Sequence, residues 1–195
     1  QKYSRYTYEY DEDGNETLVL FEYSGDKETW KGDWKIEKTW DNVVKGLQTG
    51  AMMYEYSVVT KQLTKMSPEN CFRTEITRDD KGRVTLYVNY RYNDMKKEYI
   101  NQRITPTYDE ATGHPSSVVM EDQIWDNDAQ ANVLGEIRRF HNLKWQECDD
   151  QFVNINDNFR MGNCRATEYR FNYRGVDYGD YVITYGEKYP EYEAT

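Results

Sequence analysis

The sequence predicts an all-β protein: an antiparallel meander of stacked β-hairpins forming one long twisted sheet or an open sandwich, with at most one short helix. Three observations carry this prediction. Nineteen Tyr and five Trp supply strand-favouring side chains with an apolar body and a polar tip. Segments such as Val84-Thr85-Leu86-Tyr87-Val88 alternate with the two-residue period of a strand that has two different faces. Such segments run into clusters of Asp, Gly and Asn, which reverse the chain. Hydrophobic residues make up 37% of the chain and the formal net charge is −10. Aliphatic bulk is therefore scarce, and Tyr rings must fill a sheet that stays half wet. A chain of 195 residues suits one β domain, 1–195, with 186–195 as a frayed tail.

The clearest hairpin comes first. Tyr6 to Tyr10 leads into Asp11-Glu12-Asp13-Gly14-Asn15 and then Leu18 to Tyr23. Asp11 can accept a bond from its own backbone two residues on, and Gly14 and Asn15 tolerate the positive φ of a tight reversal. After a turn at Ser24 to Lys27, Lys31 to Trp40 reads as a strand in which Trp30, Trp34, Ile36 and Trp40 share one parity and so one face. Asp41 to Met53 reads as a short helix or a loop, the helix weakened by Gly46 and Gly50. Tyr54 to Leu63 is strand-like, and Ser67-Pro68-Glu69-Asn70 breaks it. A second hairpin runs from Thr74 to Tyr92 about Asp79-Asp80-Lys81-Gly82-Arg83, and a third turns between Asp109 and Pro115 and returns over Ser117 to Trp125. Trp125 to Asp128 turns again, and Val133 to Trp145 is a strand or a bent strand pair. The last hairpin pairs Thr167 to Arg174 with Tyr181 to Tyr185 across a loop at Gly175 to Asp180, presenting Tyr169, Phe171, Tyr173, Tyr181, Ile183 and Tyr185 on one face. Gly14, Gly82 and Gly113, with Gly46 or Gly50 between the first two, fit weak repeat units of about 31–36 residues, two strands and two turns each.

Composition excludes several functions. An excess of 35 acidic over 25 basic residues without a basic block opposes phosphate-backbone binding, so no nucleic-acid partner is expected. No apolar run approaches the roughly 18 residues of a membrane-crossing helix. Cys71, Cys148 and Cys164 have no CxxC spacing, and two His complete no zinc set. A five-residue loop at Asn154 to Asn158 would set Cys148 opposite Cys164 for a disulfide, whereas a turn at Gly162-Asn163 would separate them; the sequence leaves both open.

Tyr8-x-Tyr10-Asp11-x-x-Gly14-Asn15 resembles the signature of YD-repeat hairpin proteins. The whole chain is similar to the small Tyr- and Trp-rich exported proteins of unknown function in gut Bacteroidetes, which carry such motifs. The likeness is strongest over residues 6 to 23, and the chain holds one full copy of the motif. It implies export, to the periplasm, the outer surface or the medium, and a sheet of stacked hairpins. It brings no catalytic residues. The chain holds no n-region and h-region of a signal peptide, as an exported protein in its cleaved form would look.

Two constellations could bind a ligand. Asp11, Asp13, Asn15 and Glu22 occupy positions 1, 3, 5 and 12 of a calcium-loop template, but Glu16 stands where Gly is needed and the flanks are strands; the competing reading is an acidic hairpin turn. Trp30, Trp34 and Trp40 could form an aromatic platform for sugar rings, against the alternative that alternating Trp is core. Asp79-Asp80, Asp149-Asp150 and Glu191 with Glu193 are explained by solvated turns and tails. No GxSxG, HExxH or P-loop is present, so no catalytic residue and no cofactor is expected. The sequence thus points to a non-catalytic exported binding or cell-surface interaction protein with a glycan or protein partner. The alternatives are an enzyme on surface polysaccharide and a structural or assembly module.

Overall fold

Asp-led turns set the ends of most strands in the computed structural model, which describes residues 2–147 and 164–183. In the first loop the Asp11 N–H donates to Asn15 O (2.9 Å) and the Gly14 N–H to Asp11 O (3.1 Å). The Asp11 carboxylate accepts the N–H groups of Asp13 (3.0 Å) and Asn15 (2.8 Å). Gly14 takes the positive φ, +81°, and Asn15 does not share it. The same backbone bonds close Asp79–Arg83 and Asn93–Lys97. In the Asn93 loop, which has no Gly to announce it, Lys96 adopts φ +60° in the place of Gly14.

The described residues form twelve strands: β1 (Tyr3–Tyr10), β2 (Glu16–Ser24), β3 (Lys31–Trp40), β4 (Gln48–Ser57), β5 (Gln62–Met66), β6 (Phe72–Arg78), β7 (Val84–Tyr92), β8 (Glu98–Tyr108), β9 (Pro115–Asp126), β10 (Ala131–Glu147), β11 (Cys164–Tyr173) and β12 (Val176–Val182). They pair in the order β1-β2-β3-β4-β6-β7-β8-β9-β10-β11-β12, with β5 attached to β4 off this path. The expected all-β antiparallel meander is therefore what the chain forms, with β1 and β12 as the end strands of the sheet among the described residues. The described residues contain no α-helix, only a 3₁₀ turn at Pro68–Asn70. Backbone contacts divide the chain into two compact units, Gln1–Arg103 with Gln123–Leu134, and Ile104–Asp122 with Gly135–Thr195.

Three segments differ from the sequence expectation. Residues 41 to 53 form no helix: Asp41 caps a loop by accepting the N–H groups of Val43 and Val44 (2.8 and 2.6 Å), and β4 begins at Gln48. Gly50 lies inside β4 because a Cβ there would sit 2.6 Å from Thr39 Oγ1 and 3.3 Å from Phe72 O. It marks a close approach, the second meaning of Gly in a strand. The stretch read as one strand over Tyr54 to Leu63 is instead a hairpin of β4 and β5. The last hairpin turns on two residues, Arg174 (φ +49°) and Gly175 (φ +78°), and β12 starts at Val176 where a loop was expected. Two positive φ values in a two-residue loop are the turn whose twist matches paired strands.

Buried apolar side chains are few in the first unit: Val19, Ala51, Cys71 and Val88. Cys71 has no exposure; its Sγ accepts the Met53 N–H (3.2 Å), and burial pushes its thiol pKa up. The second unit buries Ile104, Val118, Met120, Ile137, Phe140, Leu143 and Ala166.

Candidate functional site

An aromatic face on β1–β3 is the candidate site. Alternation along β1 sends Tyr6, Tyr8 and Tyr10 to one side. Pairing sets Tyr6 opposite Phe21 and Phe21 opposite Trp34, so three strands contribute one cross-strand row. The Tyr6 and Phe21 centroids lie 5.0 Å apart, Phe21 and Trp34 stack at 5.6 Å with 21° between planes, and Tyr6 stacks on Tyr8 at 6.2 Å and 18°. Trp34 also meets Tyr6 edge-on at 6.1 Å. Such contacts add about 0.5–1.5 kcal/mol beyond area burial and hold each ring in one orientation. The row nevertheless remains wet at its outer end: Tyr6, Tyr8 and Tyr10 are 53%, 46% and 61% exposed.

Of the three predicted Trp residues, Trp34 and Trp40 share this side of β3 and Trp30 does not. Phe21 pairs with Trp34 but Glu22 pairs with Gly32, which leaves Asp33 as an extra residue and reverses the alternation. Trp30 accordingly packs under the Arg5 guanidinium, 4.3 Å from its ring centroid, and Arg5 points away from Tyr6. Trp40 closes the far end, with Nε1–H donating to Glu16 O (2.8 Å) beside the Lys38–Glu16 ion pair. All three rings are half-buried, so they form neither a bare Trp row nor a sealed core.

The calcium-template residues are put to separate uses. Both Asp11 oxygens accept N–H bonds, Oδ2 from the Asn15 side chain (2.9 Å), and these bonds to Asn15 hold the Asp11 carboxyl below its ordinary range. Glu22 lies along β2 and accepts from Arg5 Nε (2.7 Å). Among the described residues no group of three or more His, Cys, Asp or Glu is arranged to hold a metal ion. Cys148 and the side chain of Cys164 lie outside the described residues, as do Asp149, Asp150, Glu191 and Glu193. Asp79 is spent on its own loop, bonded to the Lys81 and Arg83 backbone and to Arg83 Nε (2.7 Å).

The opposite face of β2–β3 carries a groove of about 640 Å³ beneath β5, floored by Leu18, Leu20 and Leu63 and rimmed by Glu9, Lys35 and Glu37. Gly32 admits Leu63, whose Cδ1 would lie 2.8 Å from a Cβ at that position. Two of its three rim charges are matched, since Lys35 donates to Glu37 (2.5 Å) and lies 5.1 Å from the Tyr54 ring centroid. Tyr6, Tyr8 and Phe21 were absent from the sequence candidates. Their signal was the Tyr-x-Tyr-x-Tyr alternation beside an Asp-led turn, but alternation does not reveal that β1 has one neighbour among the described strands.

No protein-family model matches the chain, and no curated protein matches it. Solved structures similar to it include a protein of unknown function from Bacteroides fragilis NCTC 9343, at 10% identity and TM-score 0.34, covering 69% of this chain and 89% of that one. Two DUF3836 family proteins are also similar. The one from Bacteroides vulgatus ATCC 8482 has 15% identity and TM-score 0.29 over 51% of this chain and 90% of its own. The one from Parabacteroides distasonis ATCC 8503 has 14% identity and TM-score 0.27 over 53% and 90%.

Proposed function

We propose that this chain is a non-catalytic, exported binding module that holds a glycan against the aromatic face of β1–β3. The observation that carries the reading is that Tyr6 and Tyr8 are about half exposed and yet stacked on one another, with Tyr6 packed at a tilt of 45° against Phe21. Rings fixed flat at a surface lose little freedom when a sugar lies on them, and the apolar C–H face of a pyranose matches the ring face. The Lys38–Glu16 pair supplies polar groups beside the rings for hydroxyls. That pairing also supports a non-catalytic role, because glycosidase chemistry needs two carboxyls with separated acid and base duties.

A glycan array read with three proteins tests this. Wild type and Trp30→Ala should bind the same glycans, since Trp30 lies on the other face. The Tyr6→Ala/Tyr8→Ala double variant should lose them while keeping its circular dichroism. Retained binding by a folded double variant would remove the aromatic face as the site.

A second reading, assembly through a partner strand, is favoured by β1 itself: among the described residues it pairs on one side alone, and residues 4–10 are all exposed. Arg5→Pro on that strand would separate the two, abolishing self-association seen by gel filtration if the open edge mediates it.

A further inference from the structure

A concave site of different chemistry lies in the same unit, where β8, β9 and β10 meet the Asn93 loop. Its volume is about 460 Å³ and its lining is Asn93, Tyr99, Asn101, Gln123 and Asn132. This falls within the roughly 300–1,000 Å³ of small-molecule sites. Every lining side chain is a carboxamide or a phenol, and none is charged or aliphatic.

Two of the five are held in place by the fold. Asn93 Oδ1 accepts the Lys97 N–H (3.0 Å), which aims the rest of its amide, and Gln123 Nε2 donates to Ile100 O, which leaves its Oε1 as an acceptor. The Tyr99 hydroxyl and the Asn101 and Asn132 amides make no hydrogen bond within the described residues. Asn101 is half-buried, and Tyr99 two residues before it in β8 shares its side of the strand. Trp125 is not one of the lining residues, but it lies two residues on from Gln123 in β9 and so on the same side of the strand by alternation of the pleat. It is 57% exposed, and its indole N–H is already given to Asn127 Oδ1 (3.1 Å).

This donor and acceptor set selects a ligand class. A primary amide presents a donor and an acceptor side by side, and a sugar hydroxyl is donor and acceptor at once, so neighbouring hydroxyls pair with amides without leaving either group unmatched. An apolar ligand would cover these amides without satisfying them, at a cost in affinity. An anionic ligand would find no cation in the lining and a chain of net charge −10. Trp125 offers the apolar ring face that sugar C–H groups need. We propose that the Asn93–Tyr99–Asn101–Gln123–Asn132 pocket is a subsite for an uncharged, polyhydroxylated sugar residue, with Trp125 as its stacking wall. The proposal rests on the glycan-binding reading and adds to it a second point of attachment and a preference for neutral sugars.

Side-chain NH₂ signals report on the pocket itself. The ¹⁵N-labelled chain is titrated with cello-, malto- and manno-oligosaccharides to about 10 mM, enough to populate a millimolar complex, and with oligogalacturonate as the charged counterpart. A neutral oligosaccharide should shift the Asn101, Asn132 and Gln123 amide signals and the Trp125 indole signal, and oligogalacturonate should not. Asn101→Ala and Asn132→Ala, at positions where no internal bond is lost, should each weaken that binding about three- to tenfold, the span of one hydrogen bond. The Tyr6→Ala/Tyr8→Ala variant should still show the same shifts at these millimolar concentrations while losing the array glycans, because a lone millimolar subsite is too weak to be retained on a glycan array. Shifts confined to the Tyr6, Tyr8 and Phe21 signals would overturn the subsite and leave the aromatic-face reading standing. Shifts at neither place with any neutral sugar would overturn both, and equal response to oligogalacturonate would overturn the neutral preference.

Discussion

The two compact units share aromatic rows and differ in what is buried behind them. In the first, the buried apolar set is Val19, Ala51, Cys71 and Val88, and the aromatic row ends in Tyr rings that face water. In the second, Phe140 is 5% exposed and packs between Tyr169 (5.4 Å) and Phe171 (5.1 Å), and Tyr169 stacks on Tyr181 at 5.2 Å and 9°. Ile104 and Met120 are sealed in that unit as well. The first unit makes up for its thin core at the surface: Arg73 lies 4.0 Å from the Tyr90 ring centroid and bonds both Glu98 (3.0 and 2.9 Å) and Glu75. Exposed ion pairs contribute about 0–1 kcal/mol each, so this device stabilises less than an aliphatic core. Both rows thus end in exposed Tyr rings, Tyr181 at 40% and Tyr178 at 56% in the second unit, and what sets the second apart is the buried Phe140 behind them.

The largest test of this contrast is Phe140→Ala, which should lower unfolding free energy by about 3–5 kcal/mol, as expected for a buried Phe. Urea denaturation followed by Trp fluorescence measures it. A loss below about 1 kcal/mol would make the two rows equivalent. Gly14→Val comes next. No heavy atom lies within 4 Å of a Cβ built there, so the cost is the backbone alone at φ +81°. A β-branched residue held at that φ should cost about 1–3 kcal/mol, seen in hydrogen exchange as fraying of β1 and β2 with β10–β12 unchanged. Tyr6→Ala should cost about 1 kcal/mol or less, because the ring is half exposed already. A cost as large as that of Phe140→Ala would mean that the β1–β3 face is covered in solution.

Much of the meander was legible because its turns are written in side chains. Asp11, Asp79 and Asp109 each accept backbone N–H groups within their own loops, and Gly14, Gly82 and Gly113 take the positive φ. Where the chemistry is delegated to other residues the signal fades. Lys96 does the work of a Gly, so the Asn93 turn passes unnoticed; Gly46 and Gly50 look alike in sequence, yet the first is a turn at φ +74° and the second a close approach to Thr39. The face of Trp30 was illegible for a different reason. One extra residue, Asp33, reverses the parity, and bulges leave no mark in a polar stretch. Burial escaped altogether, since Tyr-x-Tyr on an edge strand and Tyr-x-Phe on an inner one alternate identically.

The smallest effects ask whether turn chemistry is independent of core density. Lys96 in the first unit and Arg174 in the second are both non-Gly residues in the left-handed region, at φ +60° and +49°. A side chain there costs about 1–2 kcal/mol per residue, and Gly removes that strain while adding about 0.5–1 kcal/mol of unfolded-state entropy. Lys96→Gly should therefore stabilise by about 0.5 kcal/mol net. At Arg174, the first position of a turn that favours Asn-Gly, Arg174→Asn keeps a side chain and should gain a similar amount, about 0.5 kcal/mol. Both turns lie outside the buried sets of their units, so the two gains should be equal and should add in the double variant. Equal gains would make the hairpin turns autonomous, with the difference between the units residing wholly in their faces. A gain at Arg174 with none at Lys96 would instead mean that the thinly cored unit opens at the Asn93 loop before unfolding, so that relieving strain there stabilises nothing that is still formed.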